Sequence, residues 1–157
     1  MGTPGAEILN LDDRLIVGAR IEIDALATKI FEVLATPARH ASFDGSGTLT
    51  RATSGPGRLY LGARFGMAMK IKVPYWISNE VVEFVENERI AWRHLMKWRW
   101  IYQLEDLGNG RTRVTELFDA NPCNRAQVWW LGKTASLQRN PKWMAKSLVK
   151  LKTLCEA

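Results

Sequence analysis

Across residues 14–23 apolar and polar positions alternate. Leu15, Val17, Ala19, Ile21 and Ile23 fall on one side and Arg14, Arg20 and Glu22 on the other, the period of a half-buried strand. The period then changes. Leu26, Ile30, Phe31, Val33 and Leu34 recur at helical spacing behind Asp24, a residue suited to cap a helix N-terminus. Thr36-Pro37 predicts a second short helix over residues 37–41, with proline in its first turn. From Leu49 onward alternation returns. A short strand at 49–53 is followed by the turn Ser54-Gly55-Pro56-Gly57. Residues 64–73 put Phe65, Met67, Met69, Ile71 and Val73 on one face, opposite Arg64, Gly66, Ala68, Lys70 and Lys72. Strands at 79–85 and 89–95 flank Glu86-Asn87-Glu88. Strands at 98–107 and 112–118 flank Gly108-Asn109-Gly110, the strongest hairpin signal in the chain. Strands joined by tight turns predict an antiparallel meander rather than a parallel α/β sheet.

Pro122 ends the sheet. Residues 125–137 are helical in pattern but poorly amphipathic, with Trp129 and Trp130 side by side. Asn140-Pro141 reads as the start of the clearest helix. In it Met144, Leu148, Leu151 and Cys155 form a buried stripe, and Lys142, Lys146 and Lys150 a solvated one. The expected fold is α+β: a strand, two short helices, a curved antiparallel sheet of six or seven strands in all, and a long C-terminal helix. One domain spans residues 1–157, with 1–13 as a loosely ordered N-terminal segment; there is no internal repeat or linker.

Composition narrows the partners. No apolar run approaches the roughly 18–20 residues needed to span a bilayer, and the N-terminus lacks the pattern of a secretory signal. Gly2 follows Met1, but Ala6 stands where a myristoylation motif has Ser or Thr. These features predict a cytoplasmic protein without stable membrane insertion. Cys123 and Cys155 have no cysteine or histidine at metal-ligand spacing and are expected as reduced thiols. The net charge of +6 raises nucleic acid or acidic surfaces as partners. The basic residues are dispersed, however, apart from a denser stretch over 133–152, and no nucleic-acid-reading motif accompanies them, so no nucleic-acid partner is expected. Tryptophan is the anomaly. Seven indoles, at 76, 92, 98, 100, 129, 130 and 143, exceed what core packing needs and point to a cavity lining, an interface or a membrane-facing lip.

The element order carries a resemblance, together with the phrases Ile23-Asp24-Ala25, Phe31-Glu32-Val33-Leu34-Ala35-Thr36-Pro37, Asn79-Glu80-Val81-Val82-Glu83-Phe84 and Ile90-Ala91-Trp92-Arg93. Tyr102-Gln103-Leu104 and Gly110-Arg111-Thr112-Arg113-Val114-Thr115-Glu116 add to it. From Arg14 to the C-terminus the chain resembles the START-like or SRPBCC superfamily, the Bet v 1-like helix-grip fold, and within it the bacterial polyketide cyclase/dehydrase-like branch. The resemblance implies a sheet that grips the C-terminal helix and leaves an apolar cavity between them. It does not name a function, because the fold hosts carriers, receptors, cyclases and oxygenase subunits. The last of these need two histidines and a carboxylate on iron; His40 and His94, on different elements, do not suit them. No metal or other cofactor is called for.

Strand phase nominates the cavity lining: Phe65, Met67 and Met69; Val82 and Phe84; Trp92 and His94; Trp100 and Tyr102; and Met144 and Leu148 from the last helix, with Ile90, Trp98 and Leu104 sharing the inward strand faces. Methionine there serves equally as adaptable lining or as core filler. His94 is a titratable group in an apolar space, suited to acid–base catalysis, to holding a ligand oxygen, or to a structural hydrogen bond. His40 is assigned to the surface near the cavity mouth. Glu116 points inward if Val114 and Phe118 set the phase of residues 112–118, and outward if Leu117 does.

The leading expectation is a binding module, a carrier or sensor that holds a small hydrophobic molecule such as a lipid, a sterol-like compound, or an aromatic or polyketide compound. The alternatives are a polyketide cyclase/aromatase or dehydratase using His94, Tyr102 and Glu116, and an anionic-surface module using Lys142, Lys146, Lys150 and Trp129-Trp130. The glycine-rich turns open no helix and lack the P-loop lysine, so nucleotide chemistry is not expected. Either a monomer or a homodimer fits the sequence.

Overall fold

The computed structural model describes residues 5–70, 72–94, 97–133 and 136–157. Its strands are β1 (Glu7–Ile8), β2 (Ile16–Ile23), β3 (Leu49–Ser54), β4 (Arg64–Lys70), β5 (Pro74–Val85), β6 (Arg89–His94), β7 (Arg99–Gly108) and β8 (Arg111–Asp119). They form one antiparallel sheet in the order β1-β2-β8-β7-β6-β5-β4-β3. Helix α1 (Ala27–Leu34) and a 3-10 helix, Pro37–Ser42, follow β2. Helices α2 (Arg125–Lys133) and α3 (Ser136–Glu156) follow β8. The sheet thus has eight strands where six or seven were expected. The addition is β1, inside the segment expected to be loose: Glu7 and Ile8 pair with Arg20 and Ala19, and Glu7 meets Arg20 at 2.8 Å. Gly2 and Ile71, together with Leu95 at the expected end of β6, lie outside the described residues.

Local sequence explains most of these boundaries. Asn109 and Gly110 both take positive φ (56° and 75°), as the tight turn joining β7 to β8 demands. β4 stops three residues before its expected end. Lys72 has a φ of 86°, Val73 is exposed, and the chain reverses so that Lys70 pairs with Pro74. β5 therefore starts five residues earlier than the pattern indicated. A register shift between Val81 and Glu83 then sets its inward face. Asn79 and Val81 are buried before the shift and Phe84 packs on the core after it, so Val82 is the residue displaced from the face it was expected to hold.

The helix ends also differ from expectation. Asp24 does not cap α1, whose N-cap is Leu26, an exposed residue outside the buried stripe. Instead the Asp24 N–H donates to Glu156 Oε2 at 2.7 Å, and its carboxylate meets Arg111 at 3.2 Å, tying the start of α1 to the end of α3. Pro141 lies inside α3, where Asn140-Pro141 was expected to begin it. The stripe of α3 holds as expected: Met144, Leu148, Leu151 and Cys155 are all buried, while Lys142, Lys146 and Lys150 are exposed.

The helix crosses the concave face close to β2, β1 and β8. It is pinned at the other end of its stripe by the loop after the 3-10 helix. There the Gly45 N–H donates to Ser147 Oγ at 2.7 Å, and Lys150 Nζ donates to the Asp44 carbonyl at 3.1 Å. Gly45 is required by this approach, since a Cβ would overlap the Trp143 carbonyl oxygen and the Ser147 backbone nitrogen. Because both obstacles are backbone, G45A is expected to destabilise the fold by about 1–3 kcal/mol, measured by denaturant unfolding. Wild-type stability in that variant would show that the loop and helix separate without cost.

Candidate functional site

Between α3 and the far half of the sheet lies a cavity of about 710 Å³, in the range of small-molecule sites. Its walls come from strand alternation. β4 contributes Met67 and Met69, β5 contributes Tyr75, Ile77 and Asn79, and β6 contributes Trp92 and His94. β7 supplies Trp100 and Tyr102, β8 supplies Glu116 and Phe118, and the roof is Leu131, Trp143 and Met144 from α2 and α3. Six of the seven indoles line it, Trp76, Trp92, Trp98, Trp100, Trp130 and Trp143; Trp129 does not. Trp76 and Trp130 are 67% and 51% exposed and mark the open end beside Arg139, whereas Trp92 and Tyr102 are buried at the inner end.

Several residues nominated for the lining stand elsewhere. Phe65 is fully buried behind it, edge-on to His40 and Trp92. Phe84 packs edge-on to Phe31 at 5.3 Å, with the Arg58 guanidinium above both rings. Val82 is turned away by the β5 bulge, and Leu148 lies one helical turn beyond Met144 in solid core. None of these four borders the cavity.

The inner end carries the titratable groups. On β8, Thr112, Val114, Glu116 and Phe118 share the inward face, so Glu116 is inward and Leu117 is not. Tyr102 is opposite Glu116 in the β7–β8 ladder, and its hydroxyl donates to Glu116 Oε1 at 2.7 Å. Both are buried. Glu116 Oε2 is buried too, and has no partner among the described residues. Burial pushes the Glu116 carboxyl up to about 8; the Tyr102 hydrogen bond opposes this and the Asp44 charge adds to it. Burial, then the charge and hydrogen bond of Glu116, hold the Tyr102 phenol well above its ordinary range.

His40 is not at the surface. It is 4% exposed, stacked on Trp92 with centroids 5.0 Å apart, and its Nε2 lies 2.8 Å from the Leu34 carbonyl. A carbonyl only accepts, so Nε2 carries the proton. Burial lowers His40 to about 4, with the Leu34 bond opposing, and the ring is neutral at pH 7. His94 stacks on Trp98 (5.5 Å, 8°), and its buried Nδ1 has no partner among the described residues; burial lowers its pKa as well. Sequence reasoning missed Asn79, Asp44 and Arg139 at the cavity. The signal for Asn79 was present in Tyr75, Ile77 and Asn79, which keep the period of an inward strand face across a proline-led start. Asp44 and Arg139 come from a loop and a helix end that strand phase does not reach. Among the described residues no group of three or more His, Cys, Asp or Glu is placed to hold a metal ion, and no helix is long and apolar enough to cross a membrane.

The whole architecture recurs in solved structures. Protein Ms6760 from Mycobacterium smegmatis superimposes with a TM-score of 0.68 at 16% identity, covering 96% of this chain and 97% of that one. The polyketide cyclase-like protein Cgl2372 from Corynebacterium glutamicum does so with a TM-score of 0.62 at 19% identity, over 93% and 94%. The AHSA1-like protein from Aeromonas hydrophila gives 0.59 at 18%, over 89% and 95%. The arrangement they share with this chain is the helix-grip fold, an antiparallel sheet with a long C-terminal helix. By sequence, the chain is 38% identical over 104 residues to the uncharacterised Mycobacterium tuberculosis protein Rv0088, a stretch that is 66% of this chain but 46% of that one. The chain thus matches less than half the length of this relative. No family model matches the sequence.

The two buried groups give stability opposite pH dependences. Glu116 is raised in the folded state, so its contribution is complete below the unfolded carboxyl value and is lost as pH rises toward about 8. His40 is lowered, so its contribution is present above the unfolded imidazole value and is lost as pH falls toward about 4. Between pH 7 and 8 the histidines are largely neutral folded and unfolded, and Glu116 dominates. Wild-type unfolding free energy is expected to fall there by about 1 kcal/mol per pH unit, and that slope is expected to vanish in E116Q. Equal slopes in the two proteins, measured by urea unfolding, would contradict the assignment.

Proposed function

We propose that the protein binds a small hydrophobic molecule inside the cavity, one to one, as a carrier or sensor. The observation that supports this most is the lining itself. Methionine and indole side chains surround a space of about 710 Å³ that solid packing would have filled, and they open to solvent at one end. Apolar area sets the affinity of such a site, and the few polar groups set orientation. Two fold neighbours, a polyketide cyclase-like and an AHSA1-like protein, are consistent with a ligand-holding fold and name no ligand for this chain.

A catalytic form of the same reading, in the manner of a cyclase or dehydratase, is favoured by the Tyr102–Glu116 pair. A carboxyl poised near 8 beside a phenol can exchange a proton with a bound carbonyl compound near neutral pH. His94 is then a secondary group, held against Trp98 near the rim.

The test is a titration with the neutral fluorophore N-phenyl-1-naphthylamine, read by its own emission and by tryptophan quenching. Saturable binding at one equivalent, unchanged between low and high salt, is expected. Met69→Trp, which adds volume inside the cavity, is expected to weaken it at least tenfold with little change in thermal midpoint. Absent or strongly salt-dependent binding would instead indicate that the apolar space takes no such ligand.

A further inference from the structure

We infer that Glu116 stands uncharged at the inner end of the cavity and offers its Oε2 proton to the ligand, so that the site takes apolar molecules carrying an uncharged hydrogen-bond acceptor, a ketone, ester or amide carbonyl. This rests on the reading of the cavity as a binding site and adds the chemical class of its occupant.

Geometry carries the inference. The single proton of the Tyr102 hydroxyl is committed to Glu116 Oε1. Glu116, only 3% exposed, borders the cavity, and its buried Oε2 has no partner among the described residues. A carboxylate in that position would leave an oxygen with full negative charge in a water-poor space, at a cost of several kcal/mol. A carboxyl with its proton on Oε2 leaves one donor, which a ligand acceptor completes.

The groups that face this site leave its charge uncompensated. From the 3-10 helix comes His40, its Nε2 proton given to the Leu34 carbonyl. From the following loop comes Asp44, whose carboxylate accepts from Ser46 and the Leu49 N–H and repels a second negative charge. From β6 comes His94, stacked on Trp98; from β7, Tyr102. From α3 comes Arg139, exposed at the open end over Trp143 and not in an ion pair with Glu116. Burial lowers both histidines, so neither supplies a cation near neutral pH. A ligand carboxylate would meet Asp44 with no counter-ion at the inner end. A carbonyl oxygen meets a donor.

The probes are 2-acetylnaphthalene and 2-ethylnaphthalene, near-isosteric and differing in one oxygen, titrated at pH 6 and pH 9.5. Wild type is expected to bind the ketone about tenfold tighter than the hydrocarbon at pH 6, the scale of one hydrogen bond made away from water. The preference is expected to collapse at pH 9.5, where Glu116 has ionised and Tyr102 has not. E116Q, whose amide N–H replaces the acid proton, is expected to keep the preference at both pH values. E116L/Y102F, which removes the acid and the phenol donor it would free, is expected to bind the two probes alike. If the hydrocarbon binds saturably and the ketone no tighter at pH 6, the role of Glu116 falls and the cavity reading stands. If the preference persists unchanged at pH 9.5, the donor is another group and the inference also falls. If neither probe binds wild type, both readings fall together.

Discussion

The seal between α3 and the β2–β8 region of the sheet is made by Met144, Leu148, Leu151 and Cys155, each nearly or fully buried. At about 1.5–3 kcal/mol for each large apolar side chain removed from water, this stripe is the main hold on the helix. It also decides where the cavity is. The stripe commits the C-terminal half of α3 to one side of the concave face. The loop at Gly45 then meets the helix backbone near Trp143 and Ser147, and the space beyond it, over β4 to β8, is walled by side chains rather than filled. Met144 belongs to both regions: it is part of the stripe and it borders the cavity. One helical face thus serves as core at one end and as roof at the other.

The chemistry of the inner end follows from that enclosure. A carboxyl and a phenol that would be solvated and unremarkable at the surface shift each other's protonation when the outside charge that reaches them is that of Asp44 and the surrounding walls are rings and thioethers. Asp44 is itself held by Ser46 and the Leu49 backbone, so the loop that pins the helix also fixes the field at Glu116. The same short segment therefore adds both to the hold on the helix and to the field that keeps Glu116 protonated.

Most of the frame was legible in the sequence because it rests on periodicity. The strand faces of β4, β6 and β7 and the stripe of α3 are repeats of two or of 3.6 residues, and the inward run of Met67, Met69, Trp92, Trp100 and Tyr102 followed from them; the phase of β8 stayed open because Leu117 competed with Val114 and Phe118. What failed did so where a single residue interrupts the period. The bulge at Val82 exchanges the faces of β5, so Val82 was placed on the wrong face, whereas Phe84 keeps the inward face but packs on Phe31 away from the cavity. Asn140-Pro141 has the form of a helix start but falls within α3. His40 looked like a surface residue because nothing in its neighbourhood reveals that Phe43, Phe65 and Trp92 converge on it from three elements. Convergence of that kind is a tertiary fact, and loop residues such as Asp44 share the same invisibility.

The pairing of β2 with β8 joins Ile16 to Asp119 and Ile23 to Thr112, positions some ninety to a hundred residues apart. The two strands can zip only after the intervening meander has brought its last hairpin into reach, and α3 has no complete surface to settle on until they do. Loop-closure entropy thus falls due before the contacts that offset it, which places this chain among the slower-folding small domains, in milliseconds or longer rather than microseconds. During that interval the indoles destined for the cavity wall stand exposed on an unroofed sheet. The same side chains that define the mature interior are the ones on which misassembly between partly folded copies would begin.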